Sequence, residues 1–253
     1  MKSDTTPFFV TDLLLAGSLL TRLPLPHLPD AAFARSPRAV WAYPLAGALL
    51  GALAGAVGAI AVLVGLPSIV AAGLVLISLT MCSGAMHEDG LADTADGLWG
   101  GSTAEKRLAI MKDSHIGTYG TLALILVTGL RWTAYAALLP VGIGGVVAAA
   151  VLSRAAMPVL MIALPHARNF GLSHSVGKPN PLSVCVGLFL AIGIAVMCLG
   201  IQALLAVCAV ASMTIAMGIL AKRKIKGQTG DILGATQQIT ETAVLFSVLI
   251  SLQ

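Results

Sequence analysis

The stretch "SIVAAGLVLISLTMCSGAMHEDGLADTADG" (residues 68–97) joins an uncharged apolar run to a strongly acidic segment. Residues 68–86 carry no charged side chain, and about 20 apolar residues in a helix are enough to cross a bilayer. The segment that follows holds Glu88, Asp89, Asp93 and Asp96, which are four of the 11 acidic residues in the chain. This pattern predicts a transmembrane helix that ends at an acidic segment on the membrane surface.

The composition is typical of a membrane protein rather than a soluble one. Apolar residues make up 57% of the chain and charged residues only 10%, whereas about a quarter of the residues in a soluble domain are charged. The net charge is only +4, and aromatic residues make up 5% of the chain. The sequence therefore lacks the pattern of a nucleic-acid-binding surface, in which basic residues are combined with aromatic rings that stack on bases. We therefore expect a lipid bilayer as a partner and no nucleic acid.

Apolar segments recur along the whole chain. We predict an all-α fold, a polytopic integral membrane helical bundle with about seven to eight membrane segments, forming one domain over residues 1–253. Gly47, Gly51 and Gly55 share one face of a helix, which predicts close packing of two helices there. The segments, of which the first is short, cover residues 8–21, 39–64, 68–86, 117–139, 142–163, 182–199, 203–220 and 236–252.

The basic residues predict the orientation of the bundle. Twelve of the 15 lysines and arginines lie in four polar connections, residues 22–38, 87–116, 164–181 and 221–235. Positive charge in short loops marks the cytoplasmic side of a membrane protein. The four connections, including the acidic segment, are therefore expected on the cytoplasmic face.

The spacing of the acidic residues predicts a metal site. Asp89, Asp93 and Asp96 are spaced i, i+4, i+7, so a helix would carry them on one face. Carboxylates this close repel each other unless a cation neutralises them, and magnesium favours one or two carboxylates together with phosphates and water. We predict a magnesium and phosphate site here, with a solvated acidic loop as the alternative.

Two further polar segments lie on the same predicted face. "MKDSHIGTYG" (residues 111–120) adds Lys112, Asp113 and His115, and a cation beside acids is suited to phosphate. "GQTGD" (residues 227–231) is a glycine-rich turn, and backbone amides in such turns bind anions. Both segments are candidates for substrate binding.

Three charged residues lie inside apolar segments. Arg131, Arg154 and Glu241 are costly in lipid, so they are expected to face a cavity or a partner. For Arg154, binding of a substrate phosphate and a structural ion pair are equal alternatives.

Taken together, these segments resemble the cobalamin synthase family of adenosylcobinamide-GDP ribazoletransferases. The resemblance is carried, in family order, by "TRLPLP" (21–26), "HEDGLADTADG" (87–97), "IMKDSHIGTYG" (110–120), "GLSHSVGK" (171–178) and "GQTGDILGA" (227–235). It implies a magnesium-dependent, multi-pass enzyme of the inner membrane, with its active site facing the cytoplasm. Such an enzyme joins adenosylcobinamide-GDP to alpha-ribazole or alpha-ribazole 5′-phosphate in cobalamin (vitamin B12) biosynthesis and releases GMP. A homo-oligomer and an assembly with other enzymes of the pathway are both left open.

Specific residues are assigned on this basis. The predicted magnesium ligands are Asp89, Asp93, Asp96 and Asp113, and the predicted catalytic residues are Asp96, Lys112 and Asp113. The predicted substrate-binding residues are Arg22, His87, Arg154, Gly227, Gln228, Thr229, Gly230, Asp231 and Glu241.

Two other classes of function compete with an enzyme. One is a membrane transporter with an acidic cation site on its cytoplasmic side, and the other is a non-catalytic assembly subunit. Transporter sites usually lie near the bilayer midplane, whereas the acids here crowd one face, and an assembly subunit leaves the acids unexplained.

Overall fold

The computed structural model describes residues 8–252, whose regular elements are all helices. Short 3-10 turns cover Asp30–Arg35, Val40–Ala42 and Gly200–Gln202. The predicted all-α fold is confirmed. The α-helices are α1 (Phe8–Leu20), α2 (Ser36–Ala39), α3 (Tyr43–Leu63), α4 (Ser68–Ser83), α5 (Met86–Gly100), α6 (Ala104–Ile110), α7 (Thr118–Leu138), α8 (Gly144–Ala163), α9 (Leu172–Val176), α10 (Pro181–Leu199), α11 (Ala203–Ile225) and α12 (Gly230–Ser251).

The predicted number of membrane segments is too high. In the described part of the chain, four helical stretches are long and apolar enough to cross a membrane, namely Asp30–Leu63, Thr118–Leu138, Gly144–Ala163 and Pro181–Ile225. A fifth is added only if α4 and α5, which are bent by 89°, are taken together as one span. Helix α1 is too short at 13 residues. Helix α12 is not among the four, because the polar side chains in its first half make it less apolar than those stretches.

Helix α8 lies at the centre of the bundle, where it contacts α3, α10, α11 and α12. The glycines at positions 47, 51 and 55 of α3 lie against it, and a Cβ added at Gly51 would lie 2.9 Å from the Cα of Val147. Small residues on both helices allow this close backbone approach. The predicted glycine packing is confirmed.

A sharp bend separates the apolar helix α4 from the acidic helix α5. Gly84 and Ala85 both have left-handed backbone conformations, with φ of 67° and 56°, which an α-helix cannot continue through. The chain therefore turns by 89°, and the acidic segment forms α5, which packs along α12 and α7. Part of the connection predicted as a polar loop is thus a helix held against the protein.

Candidate active site

A cavity of about 230 Å³ lies where α1, α5, α8, α9 and the start of α12 meet. Its polar lining consists of Asp89, Asp231, Arg168, His87, Ser173 and Tyr43, and apolar side chains make up most of the remaining wall. We refer to this space, with Asp89 and Asp231 on its wall, as the acidic cavity. It brings together three segments that are far apart in the sequence.

Two glycines allow the acidic helix to approach α12 closely. A Cβ added at Gly90 would lie 2.9 Å from the carbonyl oxygen of Asp231, and one added at Gly234 would lie 3.3 Å from the Cα of His87. Any side chain at either position would force the helices apart. The glycines therefore place Asp89 of α5 beside Asp231 of α12.

Asp93 lies next to these carboxylates on a helix outside the four membrane-crossing stretches. Partial burial raises the pKa of Asp93 to about 7, and the negative charges of Asp89 and Asp231 add to this effect. Nearby negative charges raise the pKa of a carboxyl group because they disfavour its charged form. Of the three carboxylates expected on one helix face, Asp89 and Asp93 therefore lie close to each other.

Asp89 and Asp93 form a donor set that suits magnesium, because this ion needs only one or two protein carboxylates. Among residues 8–252, no group of three or more His, Cys, Asp or Glu side chains is placed to hold a metal ion. Magnesium typically takes one or two carboxylates and completes its octahedron with water and substrate phosphates. Asp89 and Asp93, with Asp231 nearby, suit that mode of binding.

Asp96 is placed differently from its two partners on α5. It is buried, and its carboxylate oxygens accept hydrogen bonds from the backbone amides of Gly117 (2.7 Å) and Gly120 (2.9 Å). These amides belong to the start of α7, where the first turn has unpaired N–H groups. Asp96 thus caps α7, and its predicted metal and catalytic roles stay predictions.

The second predicted acidic segment lies in an exposed loop. Asp113 accepts a hydrogen bond from its neighbour His115 at 2.7 Å, which lowers the pKa of Asp113 and raises that of His115. Asp113 does not line the acidic cavity. Lys112 lies 5.2 Å from the centre of the Phe170 ring, whose other cationic neighbour is Arg168 at 5.3 Å. Lys112 and Arg168 thus contact the same aromatic ring. The predicted roles of Lys112 and Asp113 stay predictions.

The "GQTGD" turn leads into α12, and its last two residues line the cavity. Gly230 and Asp231 line the cavity, while Thr229 caps α12 by accepting a hydrogen bond from the amide of Ile232. The side chain of Gln228 accepts a hydrogen bond from Ser173 at 2.7 Å, and Gly227 lies against the backbone of residues 165–167. Two of the five predicted residues thus face the cavity, and three hold the turn in place.

Arg168 was not identified from the sequence. Its guanidinium donates a hydrogen bond to Asp231 at 2.7 Å, and it lines the acidic cavity. Its only sequence signal is a basic residue in a connection on the predicted cytoplasmic face. Nothing local in "HARNFG" (residues 166–171) indicates that it would meet Asp231.

Arg154 and Glu241 lie outside the acidic cavity in a buried ion-pair network. Glu241 accepts hydrogen bonds from Arg131 at 2.6 Å and from the hydroxyl of Tyr135 at 2.7 Å, and it lies 3.5 Å from Arg154. Arg131 also donates to Gln238, whose side chain reaches Glu88. The contacts of Arg154 support the structural ion pair, which was one of its two alternatives.

Arg22 and His87 occupy different places. Arg22 lines a separate cavity of about 450 Å³ with His27 and Asp30 and does not line the acidic cavity. His87 lines the acidic cavity, is 1% exposed, and its Nε2 has no partner among the described residues. Burial, together with the positive charge of Arg154, lowers the pKa of His87 to about 3, so its imidazole is neutral.

Most of the chain is similar to known proteins. It matches the model of the cobalamin-5-phosphate synthase family over residues 12–249. It is 42% identical over 248 residues to an adenosylcobinamide-GDP ribazoletransferase from Bradyrhizobium diazoefficiens, covering 96% of this chain and 95% of that protein. Proteins of the same name from a Sinorhizobium species (94% of this chain, 95% of that protein) and from Brucella anthropi (96% and 98%) are each 40% identical to it. No solved structure is significantly similar. The chain therefore belongs to the cobalamin-5-phosphate synthase family.

Proposed function

We propose that the chain is an adenosylcobinamide-GDP ribazoletransferase whose reaction takes place in the acidic cavity. It joins adenosylcobinamide-GDP to alpha-ribazole or alpha-ribazole 5′-phosphate, giving adenosylcobalamin or its 5′-phosphate with release of GMP. The proposal is supported by the family match and by the names of the relatives. The observation that carries the choice of site is the meeting of Asp89, Asp231 and Arg168 around one cavity.

The reaction replaces a phosphoanhydride bond of the diphosphate by a phosphate ester. A ribose hydroxyl oxygen attacks the phosphorus that bears the cobinamide, the bond from that phosphorus to the GMP oxygen breaks, and GMP leaves with the electron pair. The hydroxyl proton is lost as the new bond forms. Such a reaction depends on positioning and on stabilising charge more than on covalent help from the protein.

We assign binding of magnesium to Asp89 and Asp93. When bound there, the ion would neutralise charge on the attacking and leaving oxygens. The guanidinium of Arg168 is placed to orient the diphosphate, because it lies in the same cavity and presents planar N–H groups that match phosphate oxygens. Asp231 holds that guanidinium at 2.7 Å and so fixes its direction.

We also propose that the acidic cavity faces the cytoplasm from the inner membrane. The support is the distribution of charge, since the connections around the cavity carry most of the lysines and arginines. Association of the chain with itself or with other enzymes of the pathway stays a prediction.

The direct test is release of GMP by the purified protein in detergent, with both substrates and with or without magnesium. We expect release that requires both substrates and the metal. A transporter or an assembly subunit would release no GMP, and that result would overturn the proposed function.

A substitution at Asp93 tests the metal site. Asp93→Asn keeps the shape of the side chain but removes its charge, so we expect kcat to fall at least about a hundredfold, because loss of one charge-stabilising group costs about 3–4 kcal/mol. The matched control is Glu105→Gln, which removes a charge from an exposed position on α6. Turnover of Asp93→Asn close to that of the control would reject the role of Asp93.

A further inference from the structure

A second, apolar space adjoins the acidic cavity. It has a volume of about 470 Å³ and is lined by Leu15, Phe33, Ala39 and other apolar side chains, with no charged residue among its described lining. We call it the apolar chamber. Leu19, Tyr43, Leu172 and Val176 line both spaces, so the two lie side by side.

The few polar groups of the apolar chamber offer little to a polar ligand. Besides Tyr43 they are three serines, and two of these already donate to their own helices: Ser18 to the carbonyl of Leu15 at 3.0 Å and Ser175 to that of Leu172 at 2.8 Å. A ligand group with several donors and acceptors would lose its hydrogen bonds to water on entering, which is costly. The chamber is therefore suited to an apolar occupant.

Tyr43 lies at the junction of the two spaces. It is only 3% exposed. A buried tyrosine hydroxyl usually has a partner, and Tyr43 lines both spaces. This hydroxyl is thus available to a ligand that extends from one space into the other.

We propose that the apolar chamber binds the dimethylbenzimidazole base of the ribazole substrate, with its ribose at Tyr43 and a ribose hydroxyl in the acidic cavity. This inference rests on the proposed function. Of the substrate parts, the guanine base carries several donors and acceptors, and the corrin ring is surrounded by amide groups. The methylated benzimidazole is the part that is mostly apolar, so it alone matches the chamber. In this arrangement the attacking hydroxyl lies near the carboxylates of the acidic cavity, and the base lies away from their negative charge in the apolar chamber.

The first test fills the apolar chamber from its rim. Ser175 is exposed, so Ser175→Phe adds a ring to the chamber without entering the core, and Ser212→Phe adds the same ring to an exposed position of α11 that lines neither space. We expect Ser175→Phe to raise the KM for alpha-ribazole at least tenfold while the KM for adenosylcobinamide-GDP changes less than twofold. Ser212→Phe should change neither value. An unchanged KM for alpha-ribazole, or an equal rise in both constants, would overturn the inference.

The second test needs no bulky substitution. Tyr43→Phe should raise the KM for alpha-ribazole about fivefold through loss of one hydrogen bond. With the unmodified protein, benzimidazole riboside should compete with alpha-ribazole at least tenfold better than adenosine, whose base carries an amino group. Equal competition by the two nucleosides would overturn the inference. Competition by neither nucleoside would also overturn it and would be expected if a lipid acyl chain filled the chamber. An unmodified protein that releases no GMP at all would instead reject the proposed function.

Discussion

Asp93 is the residue whose protonation responds most directly to a bound cation. Its pKa is raised to about 7 by burial and by Asp89 and Asp231, so without metal it carries a proton through most of the range below pH 7. Magnesium requires the deprotonated carboxylate, so binding must displace that proton. Affinity for magnesium should therefore be at its full value above pH 7 and decrease as the pH falls below it.

We predict that the magnesium concentration giving half-maximal activity is about tenfold higher at pH 6 than at pH 8, as expected for one displaced proton. The measurement is a magnesium titration of GMP release at each pH, with saturating substrates. Asp89→Asn should lower the pKa of Asp93, because it removes a neighbouring negative charge, and should shift this dependence to lower pH. A half-saturating concentration that does not change with pH would show that Asp93 is not a ligand.

At the scale of elements, Asp96 links α5 to α7. It accepts hydrogen bonds from the amides of Gly117 and Gly120 at the start of α7. We predict that Asp96→Ala destabilises this turn by about 0.5–2 kcal/mol, the usual cost of losing such a cap. Hydrogen exchange should become faster at residues 117–120 and stay unchanged in α10. Unchanged exchange at these amides would contradict the capping role.

The ion-pair network couples α7, α8 and α12. Arg131 lies 2.6 Å from Glu241 and also contacts Gln238, whereas Arg154 lies 3.5 Å from Glu241 and donates to the carbonyl of Ala150. We predict that Arg131→Ala destabilises the protein by about 3–5 kcal/mol, because it leaves a buried carboxylate without its closest cationic partner. Arg154→Ala should cost less, since the pair of Arg131 and Glu241 remains.

Thermal unfolding of both variants in detergent measures this difference, and an equal loss of stability would contradict the order. Steady-state kinetics of the folded Arg154→Ala variant then separates the two alternatives for that residue. Unchanged kcat and KM are expected for a structural ion pair. A selective fall in kcat would instead support the other alternative, in which Arg154 binds the phosphate of the leaving GMP.

At the scale of the whole molecule, the polar connections should all lie on the cytoplasmic side. Ser102 and Lys178 are exposed in two of them, and Val141 is exposed between α7 and α8. With Cys185 and Cys208 first replaced, since both are exposed, a cysteine at position 102 or 178 should react with an impermeant thiol reagent only from the cytoplasm. A cysteine at position 141 should react only from the other side. Labelling of position 102 or 178 from the periplasm would overturn the proposed orientation.

Local patterns in the sequence were enough to predict the class of protein and the main segments of the site. Apolar runs predict membrane helices because every helix that crosses the bilayer needs about 20 mostly apolar residues. The spacing of Asp89 and Asp93 predicts a shared helix face because the helical repeat is constant. The motif segments likewise identify the family, since each is contiguous in the chain.

The tertiary structure alone decided which of those residues meet. Arg168 and Asp231 are 63 positions apart and Asp96 and Gly117 are 21 apart, so their contacts depend on how the helices cross. The bend at Gly84 and Ala85 directs α5 against α12. In this packing Asp96 lies at the start of α7, and Arg154 is buried beside Glu241. Sequence spacing determines what one helix can present, whereas the packing of several helices determines what each side chain contacts.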